Sequence, residues 1–541
     1  MDCILVGYNE PNMVEMMARL EKMQHVSAGY NAFRNSLVRF RGQWRTYTNM
    51  LNLALTDATG QQYDLHAMNA ANLAMCYLKT FLTRRQLDVE IVNFFSKDKG
   101  RLTALLAHNP KAVAISTTFY SDDAPITEVI AFIKSHNTEI PVIVGGNRIS
   151  TIGRIADPVT VDYLLDKIGA DIYIIEAQGE ETLACLLHQM RRGGKCDLDA
   201  VPNLIYRQDR ALVRTTRKAE TNDFGDNMID WSLFPRKFYT PALYMRTSRG
   251  CAFTCSFCHL PLLNNRPTYL PVNLIEQEMK ELWRCGVKYI SFVDDSLNVP
   301  LPRFKEMLRM MIANSFGFRW MSYFRCANAD EETFDLMKQS GCLAVRLGIE
   351  SGDQRILKNM NKHVTIAAYQ QGMQYLHERD IITDALFIVG FPGETAETVR
   401  ATVEFIEQTH PTYYHLNIFN HYPDTPIHKQ AENFGLKGHS YSWRHDTMDW
   451  KQARDTVDTM YRTIKNSTHC AHDMNSRTML YLVGKGIAPG YIQEFLRLLQ
   501  PIMMLGDSDY LRNEKEGEMY RKLLELGKKM AVGIAACGET Q

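Results

Sequence analysis

The chain has 541 residues, 45% of them hydrophobic, and a formal net charge of zero from 61 basic and 61 acidic side chains. That balance leaves no electrostatic footprint for nucleic acid, and no apolar run reaches the ~18 residues that a membrane-spanning helix needs. Twelve cysteines in a chain this long are not the disulfide framework of a small secreted protein, so a reducing, cytoplasmic setting is expected. The length points to about three or four domains.

The opening Met1-Asp2-Cys3-Ile4-Leu5-Val6-Gly7 has no basic flank and reads as a buried strand rather than a signal peptide. Across residues 1–200, short Val- and Ile-rich runs alternate with amphipathic segments. Strands are expected at Cys3–Gly7, Val89–Phe94, Ala112–Thr117, Pro141–Gly145 and Ile172–Ile175. Helices are expected at Pro125–Ser135 and Glu181–Arg191, Pro125 suiting a first helical position. This is the pattern of a doubly wound α/β domain, which binds ligands at the carboxyl ends of its strands. Two strand ends run into glycine turns, Gly145-Gly146-Asn147 and Gln178-Gly179-Glu180. Such turns admit a flat ligand close to the backbone, and they also occur as ordinary strand-end turns. Residues 9–70 interrupt the pattern after the first strand and carry Tyr30, Phe33, Arg39, Arg41 and Trp44. They are expected either to cover a ligand or to form a helical cap with a solvated basic face. Residues 201–240 are expected to be a linker.

From residue 241 to 425 the chain repeats strand then helix six times. The strands are expected at Leu243–Ser248, Tyr289–Val293, Met321–Arg325, Leu343–Glu350, Asp384–Val389 and Tyr413–Phe419. The first is followed by Arg249-Gly250-Cys251-Ala252-Phe253-Thr254-Cys255-Ser256-Phe257-Cys258. CxxxCxxC puts Cys251, Cys255 and Cys258 on one short loop. Three thiolates can hold three irons of a [4Fe–4S] cluster and leave the fourth open to a ligand. A zinc site favours paired CxxC or Cys/His sets, and no second pair is present. The spacing resembles the signature of the radical S-adenosylmethionine (SAM) enzymes. The resemblance implies a partial (β/α)6 barrel, SAM chelated by the open iron, and a 5′-deoxyadenosyl radical made with electrons from an external low-potential donor. It also implies SAM contacts by Phe257, by Asp294 and Asp295 at the second strand's end, by Arg325 and by Glu350 in Gly348-Ile349-Glu350-Ser351-Gly352. Phe257 can equally be a buried loop aromatic, and Asp295 a helix cap. Gly390-Phe391-Pro392-Gly393-Glu394-Thr395 is expected to shape a loop, with Glu394 capping the next helix. His259 as a fourth iron ligand would block SAM and is rejected.

Ahead of such a barrel, residues 1–200 resemble the Rossmann-like domain of the cobalamin-dependent radical SAM enzymes. Thr117, Gly145, Gly146, Asn147, Gln178, Gly179 and Glu180 are then the implied cobalamin contacts. The DxHxxG motif of other cobalamin proteins is absent; Asp64-Leu65-His66 comes nearest, and His66 reads as an ordinary residue. The segments 293–300, 357–362 and 441–449 resemble the radical SAM P-methyltransferases and related natural-product C-methyltransferases. That resemblance implies two SAM molecules, one methylating cobalamin and one yielding the radical. The methyl group goes to an unactivated carbon or a phosphinate phosphorus of a small-molecule or peptide-derived substrate. A cyclase or rearrangement enzyme without methyl transfer shares every motif. Residues 426–541 are expected to be a helical substrate or lid domain.

Overall fold

The computed structural model describes the chain except residues 11, 23–27, 119, 121, 156, 194–195, 210, 221, 261–266, 424, 504–511 and 539–541. The chain divides into two units, residues 1–12 with 68–239, and residues 13–67 with 240–541.

The first unit is built on seven strands: β1 (Cys3–Tyr8), β2 (Val89–Phe94), β3 (Ala112–Ser116), β4 (Val142–Gly145), β5 (Ile172–Ile174), β6 (Leu204–Gln208) and β7 (Ala211–Arg214). Their order in the sheet is β2-β1-β3-β4-β5-β6-β7. The first five are parallel; β6 and β7 are added antiparallel. Cys3, Ile4, Leu5 and Val6 are fully buried, as a strand covered on both faces requires. The five expected strands therefore fold as read, in the flavodoxin-like 2-1-3-4-5 order whose ligand crevice lies where the order reverses, beside β1 and β3.

Two domain boundaries differ from the sequence reading. Residues 201–240 are not a bare linker: β6 and β7 cover the edge of β5, and Leu204, Ile205 and Tyr206 are buried there. Residues 13–67 do not belong to the first unit. Helix Tyr47–Thr59 buries Tyr47, Met50, Leu51, Ala54 and Leu55 in a core shared with Met519, Tyr520, Leu523, Leu526 and Met530 of the C-terminal helix Arg512–Gly538. An apolar helix face is buried by whichever complementary face the fold presents, and sequence adjacency does not decide it.

The second unit carries β8 (Ala242–Met245), β9 (Tyr289–Phe292), β10 (Arg319–Phe324), β11 (Cys342–Glu350), β12 (Ile382–Val389), β13 (Tyr413–Ile418) and the short β14 (Thr468–His469). They are parallel and adjacent in chain order. Helices Val272–Arg284, Leu301–Ala313, Glu331–Gln339, Ile366–Glu378 and Ala396–Thr409 connect the first six. Each buries one apolar face, such as Ile275, Met279 and Leu282 in the first. On the concave side, Ala242, Met321 and Ala344 pack against Leu480 of helix Ser476–Gly484, which closes the floor. The region after 426 is helical as expected, with an added three-stranded sheet of Lys437–His439, Ser442–His445 and Met448–Asp449. Among the described residues no helix is long and apolar enough to cross a membrane.

Candidate active site at the carboxyl ends of the barrel strands

The loop after β8 carries the three cysteines. Gly250 enters it with φ 82°, a left-handed conformation that glycine adopts without cost. The loop is tied down on its far side. Ser256 N–H donates to the Met360 carbonyl (2.9 Å), Ser256 Oγ to the Asn359 carbonyl (2.8 Å), and Asn361 Nδ2 to the Thr254 carbonyl (2.9 Å). Ile427 N–H reaches the Ser256 carbonyl at 2.8 Å. Cys255 is buried; Cys251 and Cys258 are half-buried. Burial, then the neighbouring thiols and Asp295, push Cys258 up to about 12, and burial raises Cys251 as well. A ligand that takes these thiolates must displace their protons, which a cationic metal centre does. Among the described residues no three His, Cys, Asp or Glu side chains converge on a single ion. The three thiols are close enough to act on each other electrostatically, an arrangement that suits a polynuclear cluster bridging several irons.

Asp294 does not stand free at the second strand's end. Its carboxylate accepts from Thr247 N–H (3.0 Å), Thr247 Oγ1 (2.8 Å) and Ser248 Oγ (2.5 Å), and it is 1% exposed. Arg303 donates to the Thr247 carbonyl at 2.8 Å. Asp294 thus holds the chain between β8 and the cysteine loop, chiefly through Oδ1, while Oδ2 accepts only from the Thr247 N–H at 3.1 Å among the described residues. Asp295 faces the loop: burial raises its carboxyl, and Arg246 and the Gly250 N–H act against that. It also adds to the raised values of Cys251 and Cys258.

Arg325 follows β10 and is gripped by Asn298, whose Oδ1 accepts from the Arg325 N–H (3.1 Å) and whose Nδ2 donates to its carbonyl (3.0 Å). Its guanidinium lies 3.7 Å from the Phe253 ring centroid and donates to the Lys362 carbonyl, an arrangement that brings it onto the cysteine loop. Phe257 is half-buried and packs edge-on against Phe391, with centroids 6.4 Å apart. The His259 ring packs 5.6 Å from Tyr422.

Glu350 ends β11 at φ 71°, where the register with β12 shifts between Gly348 and Glu350. The irregularity turns the carboxylate back over Gly348. Lys362 Nζ sits 3.6 Å from Glu350 Oε1, donates to the Gly348 carbonyl at 2.7 Å and lies 5.9 Å from the Phe257 ring. Burial raises the Glu350 carboxyl; Lys362, Arg325 and Arg346 oppose it. Lys362 has a place beside Glu350 that nothing in its local sequence announces. A lysine twelve positions beyond a strand end reads as solvated, and only the fold shows it 5% exposed beneath the loop.

In the first unit the expected turns meet at the carboxyl ends of β3, β4 and β5. Thr117 N–H and Oγ1 both donate to the Gly145 carbonyl (2.8 and 2.7 Å), and its Oγ1 accepts from Arg148 N–H at 3.2 Å. Gly146 has φ 99°, and a Cβ there would lie 3.0 Å from Thr117 N. A Cβ on Gly179 would come within 2.3 Å of Ile174 Cγ2, and one on Gly145 within 3.3 Å of Ile174 Cβ, so both turns pack on one side chain. Asn147 is exposed and starts the helix Asn147–Ile152. Asn222 donates to the Gln178 carbonyl (3.1 Å) and to Glu180 Oε2 (2.7 Å). Glu220 accepts from Glu181 N–H (2.8 Å) and Thr182 N–H (2.9 Å), capping helix Glu180–Arg192. Both residues lie in the segment read as a linker, and nothing in their local sequence announces the capping.

Residues 245–406 match the family model described as the Radical SAM superfamily. The chain carries a radical SAM domain. The matched span begins at the end of β8 and takes in the cysteine loop and the strands through β12. Outside the domain the similarity continues. An uncharacterised methyltransferase of Pyrococcus horikoshii is 25% identical over 370 residues, covering 66% of this chain and 78% of that one. The anaerobic magnesium-protoporphyrin IX monomethyl ester cyclase of Rubrivivax gelatinosus is 24% identical over 307 residues. That match covers 53% of this chain and about half, 55%, of the cyclase. Among solved structures, the radical SAM methyltransferase TsrM of Kitasatospora setae, with cobalamin and a [4Fe–4S] cluster bound, superposes with a TM-score of 0.60. It shares 18% identity over 86% of this chain and 97% of that chain, so this chain has its fold.

Proposed function

We propose that the protein is a cobalamin-dependent radical SAM methyltransferase. It moves a methyl group from cobalamin to an unactivated carbon, or to a phosphinate phosphorus, of a small-molecule or peptide-derived substrate. The observation that carries this reading is the CxxxCxxC loop at the carboxyl end of the first barrel strand, in a chain whose other unit is a 2-1-3-4-5 sheet with glycine turns at its ligand-binding edge. When bound, the cluster, SAM and cobalamin supply electron, radical and methyl group; the protein positions them and excludes water.

Cys251, Cys255 and Cys258 would hold the cluster. Phe257, Asp295, Arg325 and Glu350 are the proposed SAM contacts. Glu350 is a carboxylate acceptor at a strand end, which suits a ribose hydroxyl or an ammonium group, and Lys362 lies 3.6 Å from its Oε1. Asp294 acts as a positioning residue, through Thr247 and Ser248. Thr117, Gly145, Gly146, Asn147, Gln178, Gly179 and Glu180 form the proposed cobalamin edge, where Gly146 and Gly179 let the turns pack closer on Thr117 and Ile174 than any side chain would allow. An external low-potential donor would supply electrons. The cyclase relative favours one second reading, a cyclase or rearrangement enzyme with the same cofactors and no methyl transfer.

Metal analysis tests the two cofactor sites separately. Anaerobically purified protein grown with cobalamin is expected to contain both iron and cobalt. The triple change Cys251→Ala, Cys255→Ala, Cys258→Ala is expected to lose the iron and keep the cobalt. A wild-type preparation that takes up no cobalt after reconstitution would remove the cobalamin half of the reading.

A further inference from the structure

The interiors of parallel barrels are usually filled by Val, Ile and Leu. Here the layer above the apolar floor of Ala242, Met321 and Ala344 reads differently. Counting two residues on along each strand from the floor positions gives Tyr244, Ser291, Tyr323, Arg346, Asp384 and His415, one from each of β8 to β13. Asp384 Oδ1 lies 2.7 Å from His415 Nε2, and Asp384 Oδ2 lies 3.7 Å from Arg346 Nε. All three side chains are at most 10% exposed.

The ionic layer is not closed on itself. Arg346 Nε makes no hydrogen bond, nor do the two Asp384 carboxylate oxygens, His415 Nε2 or Ser291 Oγ. Arg477, on the floor helix, brings a second guanidinium, 5.9 Å from the centroids of both Tyr244 and Tyr323. Asp384 is the partner of Arg346, Lys362 that of Glu350 above, and Arg477 makes no ion pair among the described residues. Buried positive charge without a partner is costly, and a substrate oxyanion is the partner that guanidinium geometry recognises best. The layer also has access. Leu386, Ile388 and Asn417 continue the concave face of β12 and β13, and the first two are half-buried and Asn417 exposed. His472 is exposed too, and burial of its imidazole, then Arg346 and His415, hold it down to about 4.

We propose that this layer anchors the substrate: an oxyanion of the substrate, carboxylate or phosphorus-centred, docks on Arg346 and Arg477, while Asp384 and His415 hold the Arg346 guanidinium from behind. The apolar Leu386 and Ile388 then line the path from the anchored group up toward the cysteine loop. The inference rests on the reading of the barrel as the catalytic unit and adds to it the charge class of the substrate.

The test is isothermal titration of the reconstituted full-length enzyme with methylphosphonate, with acetate, and with methylammonium as the cationic control. Release of 5′-deoxyadenosine from SAM by the wild type is measured in parallel. At least one oxyanion is expected to bind, and methylammonium not to bind. Arg346→Gln and Arg477→Gln are each expected to weaken that binding by at least ~10-fold, the loss typical of one charge-assisted hydrogen bond. Which oxyanion binds distinguishes carboxylate from phosphorus chemistry. Arg477 is half-buried, so Arg477→Gln reports even where Arg346→Gln fails to fold. A wild type that releases 5′-deoxyadenosine and binds neither oxyanion overturns the anchor and leaves the proposed function standing. Oxyanion binding that both variants retain overturns it as well. Absence of 5′-deoxyadenosine counts against the catalytic reading, and the titrations still report on the anchor.

Discussion

Glu350 and Lys362 compose a buried ion pair whose parts come from a strand end and from a loop twelve residues later. Each is 8% exposed or less, and their separation of 3.6 Å is held by the Lys362 hydrogen bond to the Gly348 carbonyl. Removing one partner of such a pair leaves an uncompensated charge, so Lys362→Met is expected to destabilise the fold by about 3–5 kcal/mol. Adding Glu350→Gln removes that charge and is expected to recover most of the loss. Urea melts of the two single changes and the double change check this, and a simple sum of the singles would contradict it. The cysteines were legible in the sequence because their chemistry depends on spacing alone. Glu350 was legible because an acid between glycines at a strand end has few structural reasons to be there. Lys362 and the polar layer of Arg346, Asp384 and His415 were not. Charge inside a strand is visible in sequence, but which face it occupies depends on the register and on the bulge at residue 350.

At the scale of elements, strand existence followed from Val- and Ile-rich runs, and most ends fell within two residues of those expected. What adjoined them did not follow. Helix Glu180–Arg192 has its first amides satisfied by Glu220, forty residues downstream, and Glu220→Ala is expected to cost ~1–2 kcal/mol of first-unit stability in a urea melt. The loop after β12 offers a pH test. Burial pushes Glu394 up to about 8, against the Gly390 N–H that donates to it. The sequence expects Glu394 to cap the next helix; Thr395 takes that place instead. Between the ordinary carboxyl value of 4.5 and about 8, the folded state keeps a proton that the unfolded chain has released. Stability therefore falls as pH rises through that window. Glu394→Gln keeps an acceptor for Gly390 and has no proton to lose, so its melting temperature is expected to overtake the wild type's toward pH 8. Parallel pH profiles for the two proteins would contradict the assignment.

For the whole molecule, the two-unit α/β plan was legible because strand–helix alternation is periodic along the chain. The partition was not: residues 13–67 leave the sheet they interrupt and complete the core around the C-terminal helices, a choice made by complementary apolar faces far apart in sequence. The function proposed for the assembled chain joins a radical SAM domain to a cobalamin edge, and its most direct test follows the methyl group. Anaerobic turnover with SAM deuterated in its methyl group, cobalamin, a low-potential reductant and a panel of oxyanion-bearing C–H and P–H acceptors is read by mass spectrometry. The account predicts 5′-deoxyadenosine together with a product heavier by one trideuteromethyl group. Release of 5′-deoxyadenosine and conversion of an acceptor without any label in the product would contradict methyl transfer and leave the cyclase or rearrangement reading in its place.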